Sequence, residues 1–136
     1  DNKINSDKLR ENYTESFDIW SKFSKNYNFD LYYFLQPVPT WFNKPLAKEE
    51  KDLFNILDNS NDSSHNILKK LSEENTYKKF KELLESILMK KRINFIDLNN
   101  EFRKIKNLNK WMFVDRVHLN DNGYEEISKT ILDTIN

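Results

Sequence analysis

One glycine, Gly123, and no cysteine occur in a chain of 136 residues, and these scarcities exclude several chemistries at once. A phosphate-cradling P-loop or a dinucleotide fingerprint needs several glycines so that backbone can approach phosphate, and a Gly-x-Ser-x-Gly nucleophile elbow needs two. Without cysteine there is no disulfide framework, no thiolate metal site and no cysteine nucleophile. Net charge is also absent, with 22 basic residues balancing 22 acidic ones. A balanced chain has no general field to gather nucleic acid or an anionic membrane, so neither is expected as a partner. No apolar run is long enough to span a bilayer. Nothing at the start reads as a signal peptide, but the chain begins at Asp1 without an initiator methionine, so its compartment is left open.

What is present suits a folded protein. Hydrophobic residues make up 38% of the chain and aromatics 14%, enough for one domain with one core at this length. Leu9, Tyr13, Phe17, Trp20, Phe23 and Tyr27 recur in steps of three or four, predicting an amphipathic helix over about 6–27 with this aromatic stripe buried and Ser6 as its N-cap. Phe29 to Gln36 is almost continuously apolar and stops at Pro37-Val38-Pro39, predicting a strand buried on both faces. Helical spacing returns over Leu46 to Leu57, and Asp58 to Asn66 reads as a polar loop in which His65 is solvated. Ser72 is the expected cap of a helix reaching Lys91, with Tyr77, Phe80, Leu84, Ile87 and Leu88 facing inward. Lys90-Lys91-Arg92 suit the negative end of that helix dipole.

Ile93 to Leu98 reads as a second short buried strand, followed by a brief helical turn. Trp111 to Val114 reads as extended, and a last helix is expected to start near Asn122, capped by Asn122 with Glu125 reaching back and with Ile127, Ile131 and Ile135 on its inner face. Strands alternating with helices argue an α/β protein with a parallel sheet. Two strands alone leave apolar edges unpaired, so further strands are expected from another polypeptide segment.

The chemistry concentrates in Asp115-Arg116-Val117-His118, followed by Leu119-Asn120 and Gly123-Tyr124. A histidine serves as general base only when its second ring nitrogen is held in the right tautomer, which a nearby carboxylate does. The same spacing also fits a plain turn in which Asp115 caps backbone amides and His118 is half exposed. A metal site formed by Asp97, Asp115 and His118 is a further reading, with a single histidine to support it.

In order along the chain, Leu35-Gln36-Pro37, Phe95-Ile96-Asp97-Leu98 and the Asp115-to-Tyr124 block resemble the C-terminal half of an SGNH hydrolase, the GDSL-type esterase and lipase superfamily. The resemblance implies a flavodoxin-like three-layer α/β/α sandwich with a parallel sheet, of which residues 1–136 would be the C-terminal portion with only the last two strands, interrupted by a helical insertion at about 41–72. It implies an ester or other acyl substrate, no metal and no cofactor, with His118 as the base that activates a serine and Asp115 as its orienting acid. Val38 and Trp41, just past the first strand, would line the acyl pocket.

The family's Gly-Asp-Ser nucleophile block and its glycine and Gly-x-Asn-Asp oxyanion blocks are absent here. The serine is therefore expected on an N-terminal half of the domain outside this chain, and the segment alone is expected to be inactive. The alternative is an SGNH-like interaction domain without catalysis, with the aromatic and apolar surface around the first strand as a partner-binding edge.

Overall fold

The computed structural model describes residues 6–135 as a mixed α/β chain, mostly helical. Its elements are α1 (Ser6–Tyr27), β1 (Tyr32–Leu35), α2 (Lys48–Asp58), α3 (Ser63–Leu71), α4 (Glu74–Lys91), β2 (Asn94–Asp97), α5 (Leu98–Phe102) and α6 (Asp121–Ile135). β1 and β2 form a two-stranded parallel sheet. No helix among the described residues is long and apolar enough to cross a membrane. Contacts divide the chain into two compact units, one made of residues through Phe34 with Lys78–Ile96, the other of Leu35–Tyr77 with the chain from Asp97 onward.

In the first unit α1 packs through Tyr13 and Phe17. Tyr13 meets Phe80 of α4 edge-on at 5.7 Å, and Phe17 meets Tyr33 of β1 at 5.1 Å. Burial pushes the Tyr33 hydroxyl up to about 12, with Tyr13 beside it adding to the shift. The inner face then continues through Ser21, whose hydroxyl donates to the Lys91 carbonyl at the end of α4. The expected aromatic stripe therefore leaves the core halfway along: Trp20 is 53% exposed and Tyr27 68%. A small side chain at position 21 lets α1 approach the end of α4, and the large rings at 20, 23 and 27 fall on the flank.

β1 is likewise only half buried, running from an exposed Tyr32 to a buried Leu35, and β2 repeats the pattern from Asn94 to Asp97, so the expectation of two buried strands is corrected. α4 buries Leu84, Ile87 and Leu88 as its spacing predicts. It ends at Arg92, which adopts a left-handed φ of 57° while the Ile93 amide donates to the Leu88 carbonyl. Glycine normally takes that position; here the left-handed positions fall to Asn28, Asn43, Asn107 and Arg92.

The second unit is built on Phe42, Phe102 and Phe113, which meet at 5.4 and 6.3 Å. Two local expectations change here. The polar stretch before Ser72 contains α3, because the Asp62 side chain accepts the Ser64 amide and starts a helix that takes in His65, which is partly buried. Ser72 then closes α3 instead of opening α4, its hydroxyl donating back to the Lys69 carbonyl.

α6 starts one residue earlier than expected. Asn120 is the cap, accepting the Gly123 amide at 3.0 Å, and Glu125 pairs with Lys129 instead of reaching back. The buried residues of α6 are Gly123 and Thr130, while Ile127 and Ile131 are half covered and Ile135 is exposed. A side chain at Gly123 would stand 2.6 Å from the Met112 carbonyl and 2.4 Å from Leu119. Backbone cannot yield as a flexible side chain can, so Gly123→Ala is expected to cost about 1–3 kcal/mol despite alanine's better helix propensity, as urea unfolding will show.

Candidate acid–base site

Asp115 and His118 lie in a tight turn closed by an antiparallel bridge between Phe113 and Leu119. The turn is built by Asp115 itself, whose Oδ1 accepts the amides of Val117 at 2.8 Å and His118 at 2.7 Å. This leaves Oδ2 free to meet His118 Nδ1 at 2.7 Å. Burial raises the Asp115 carboxyl, but the hydrogen bonds from the His118 amide and ring and from the Val117 amide outweigh it and hold the group below its ordinary value. A carboxylate at Nδ1 selects the tautomer with the proton there, so Nε2 carries the free lone pair. The imidazole is 63% exposed and the carboxylate 16% exposed, so the acid is sheltered and the base is presented.

Three groups hold the turn from the rest of its unit. The Gln36 side-chain amide, just past β1, donates to the Val117 carbonyl at 2.6 Å. The Arg116 guanidinium grips both oxygens of Asp58 at the end of α2, with Nε donating at 2.8 Å, and lies over the Phe54 ring at 5.3 Å. Glu50, fully buried in the first turn of α2, accepts the Met112 amide at 2.9 Å and the Phe113 amide at 3.1 Å through Oε1. Its Oε2 accepts Lys44 Nζ at 2.6 Å and the Ala47 amide at 2.8 Å. Lys44 is as deeply buried, and its remaining donors go to the Pro45 and Lys110 carbonyls. Every polar contact of this buried pair is therefore matched, as burial of charge requires. The sequence marks none of Gln36, Glu50 or Asp58 as a support of this turn.

The hydrogen bond from Arg116 holds Asp58 below its ordinary carboxylate value, against the opposing effect of burial, and the arginine is raised in turn. Asp58 and Asp115 thus bind protons less readily folded than unfolded. Their contribution to stability is complete above the unfolded value of about 4 and is lost as pH falls through the depressed folded values. Asp58→Asn should accordingly be less stable than the parent protein at pH 7. In urea unfolding between pH 7 and pH 3 the gap between the two should narrow toward the acidic end.

The other candidate residues sit differently. Val38 is 4% exposed and its amide donates to Asn99 Oδ1 at 2.9 Å; Trp41 is 7% exposed and stacks on Tyr77 at 5.1 Å. Both pack inside their unit, and the Trp41 indole N–H is buried without a partner among the described residues. A cavity of about 280 Å³ lined by Phe42, Lys44, Phe102, Arg103 and Leu108, among others, includes neither of them, nor Asp115 or His118.

Asp97 is committed elsewhere, accepting the Tyr77 hydroxyl at 2.5 Å through Oδ2 and the Asn99 amide at 3.0 Å through Oδ1. No group of three or more potential metal ligands comes together among the described residues. No serine hydroxyl among the described residues bonds to His118; those of Ser21, Ser24, Ser72, Ser86 and Ser128 donate to backbone carbonyls.

An arrangement of this kind can take a proton at Nε2 and stabilise the resulting imidazolium through Asp115. Comparison with protein-family models and with curated proteins gives no significant match to the chain.

Proposed function

We propose that this chain is the acid–base part of a serine hydrolase of the SGNH, or GDSL, type, acting on an ester or other acyl group. His118 is its base and Asp115 the acid that orients it. The observation that carries this reading is the 2.7 Å contact between Asp115 Oδ2 and His118 Nδ1, in a turn that leaves Nε2 uncommitted on an exposed ring. A serine hydroxyl is a poor nucleophile until such a base takes its proton.

On this reading the serine and the oxyanion donors come from the N-terminal half of the same domain, outside these 136 residues. The one glycine already serves the close packing of α6, so none remains for either block. β1 and β2, each with an unpaired edge among the described residues, would be the last two strands of a three-layer α/β/α sandwich completed by that half. The test is hydrolysis of p-nitrophenyl acetate by the full-length protein, with activity expected in the parent and lost in His118→Ala. Equal hydrolysis by parent and variant would reject the assignment.

The exposed rings of Trp20, Phe23 and Tyr27 favour a second reading, a non-catalytic domain of the same fold that binds a partner through this face. An inactive full-length protein that keeps its fold would favour that reading.

A further inference from the structure

We infer that α2, part of the helical insertion, is a clamp that sets the position of the Asp115–His118 pair, with Asp58 and Arg116 as its positioning residues. The catalytic meaning of this clamp rests on the function proposed above. Glu50, Phe54 and Asp58 are spaced four apart, so they share one face of α2 over two turns. All three engage the single segment that carries the pair. Glu50 takes the amides of Met112 and Phe113 where the segment enters, Phe54 lies under the Arg116 guanidinium, and Asp58 grips that guanidinium with both oxygens.

Arg116 stands between the acid and the base in sequence, so restraining it restrains the backbone that joins them. The fork is partly sheltered, with the arginine side chain 21% exposed and the aspartate 14%. A two-pronged guanidinium–carboxylate contact fixes direction as well as distance. Lys69 of α3 adds a second cation to Asp58 at 3.4 Å, tying the other insertion helix to the same carboxylate. Simple loop packing would not require one helix face to devote both a buried and a near-buried carboxylate to the five residues from Met112 to Arg116.

The tautomer of His118 reports the clamp directly. The His118 nitrogen resonances are assigned as those lost in a His118→Gln control. In the full-length protein His118 is expected mainly as the Nδ1–H form. Asp58→Asn, and independently Arg116→Lys, should shift the ring toward the mixture of a free imidazole while circular dichroism keeps its helical signal. Fluorophosphonate labelling should slow in parallel by about 10- to 100-fold, the cost of a slightly misplaced base.

Asp58→Glu, which keeps the charge, should recover part of both effects. If either folded variant loses thermal stability while the tautomer stays as in the parent, the contact is only structural and the inference is overturned. The nitrogen spectrum needs no turnover, so a parent protein that never labels rejects the hydrolase reading without touching the tautomer result.

Discussion

Glu50→Ala is expected to destabilise the protein by about 3–5 kcal/mol, the usual cost of leaving a buried ion without its partner. For a chain of this size that is a fall in Tm of roughly 10–20 °C. The substitution strands the Lys44 ammonium, which is fully buried, and removes the acceptor of three backbone amides, those of Ala47, Met112 and Phe113.

The double substitution Lys44→Met with Glu50→Leu separates these contributions. Replacing a buried ion pair by apolar side chains is often neutral, but here the amides would still be left without an acceptor, each at a cost of about 1–3 kcal/mol. The double variant should therefore recover only part of the loss. Lys44→Met alone should cost less than Glu50→Ala, because the carboxylate keeps its three amide donors. Full recovery in the double variant would mean that the ion pair, and not the anchoring of residues 112 and 113, is what Glu50 provides.

The second large effect concerns chemistry. On the proposed function, His118→Ala should lower hydrolysis by the full-length protein by about 10⁴-fold or more, since both proton transfers of acyl transfer would run through this residue. Asp115→Asn should approach that loss, at about 10⁴-fold, because an amide presents a donor to Nδ1 and favours the wrong tautomer. Asp115 also folds its own turn by accepting the Val117 and His118 amides, which one side-chain oxygen of asparagine can still do. The asparagine variant should thus remain folded while losing activity, which separates orientation of the base from construction of the turn. Full activity in Asp115→Asn would remove the aspartate from the mechanism.

The Asp–His pair was legible in the sequence because it is local. Its members stand three positions apart, and Asp115 builds the connecting turn from its own carboxylate. The supports were not legible because they are distant: Gln36 reaches Val117 across 81 positions, Glu50 reaches Met112 across 62, and Asp58 reaches Arg116 across 58. The four-residue spacing of Glu50, Phe54 and Asp58 was the available sign, a helix face that mixes carboxylates with an apolar ring.

Helix limits agree where apolar periodicity is strong, as in α1 and at the C-terminal end of α4. They slipped at Asn120 and Asn122, both suited to capping: Asn120 accepts the Gly123 amide, while the Asn122 side chain donates to the Trp111 carbonyl. α3 was hidden because Asp62 and the serines after it look like a loop until the Asp62 carboxylate is seen accepting an amide. α1 departed from its stripe because Ser21, not Trp20, meets the end of α4.

A fluorophosphonate probe reads out whether Asp115 and His118 form, as proposed, the acid–base half of a serine-activating site. Full-length protein is expected to label on one serine outside these 136 residues. Labelling should fall by about 10³-fold or more in His118→Ala, since the probe reports activation of the hydroxyl itself. Labelling of the parent and the His118→Ala protein at the same rate, or no labelling of the folded parent at all, would contradict the proposal.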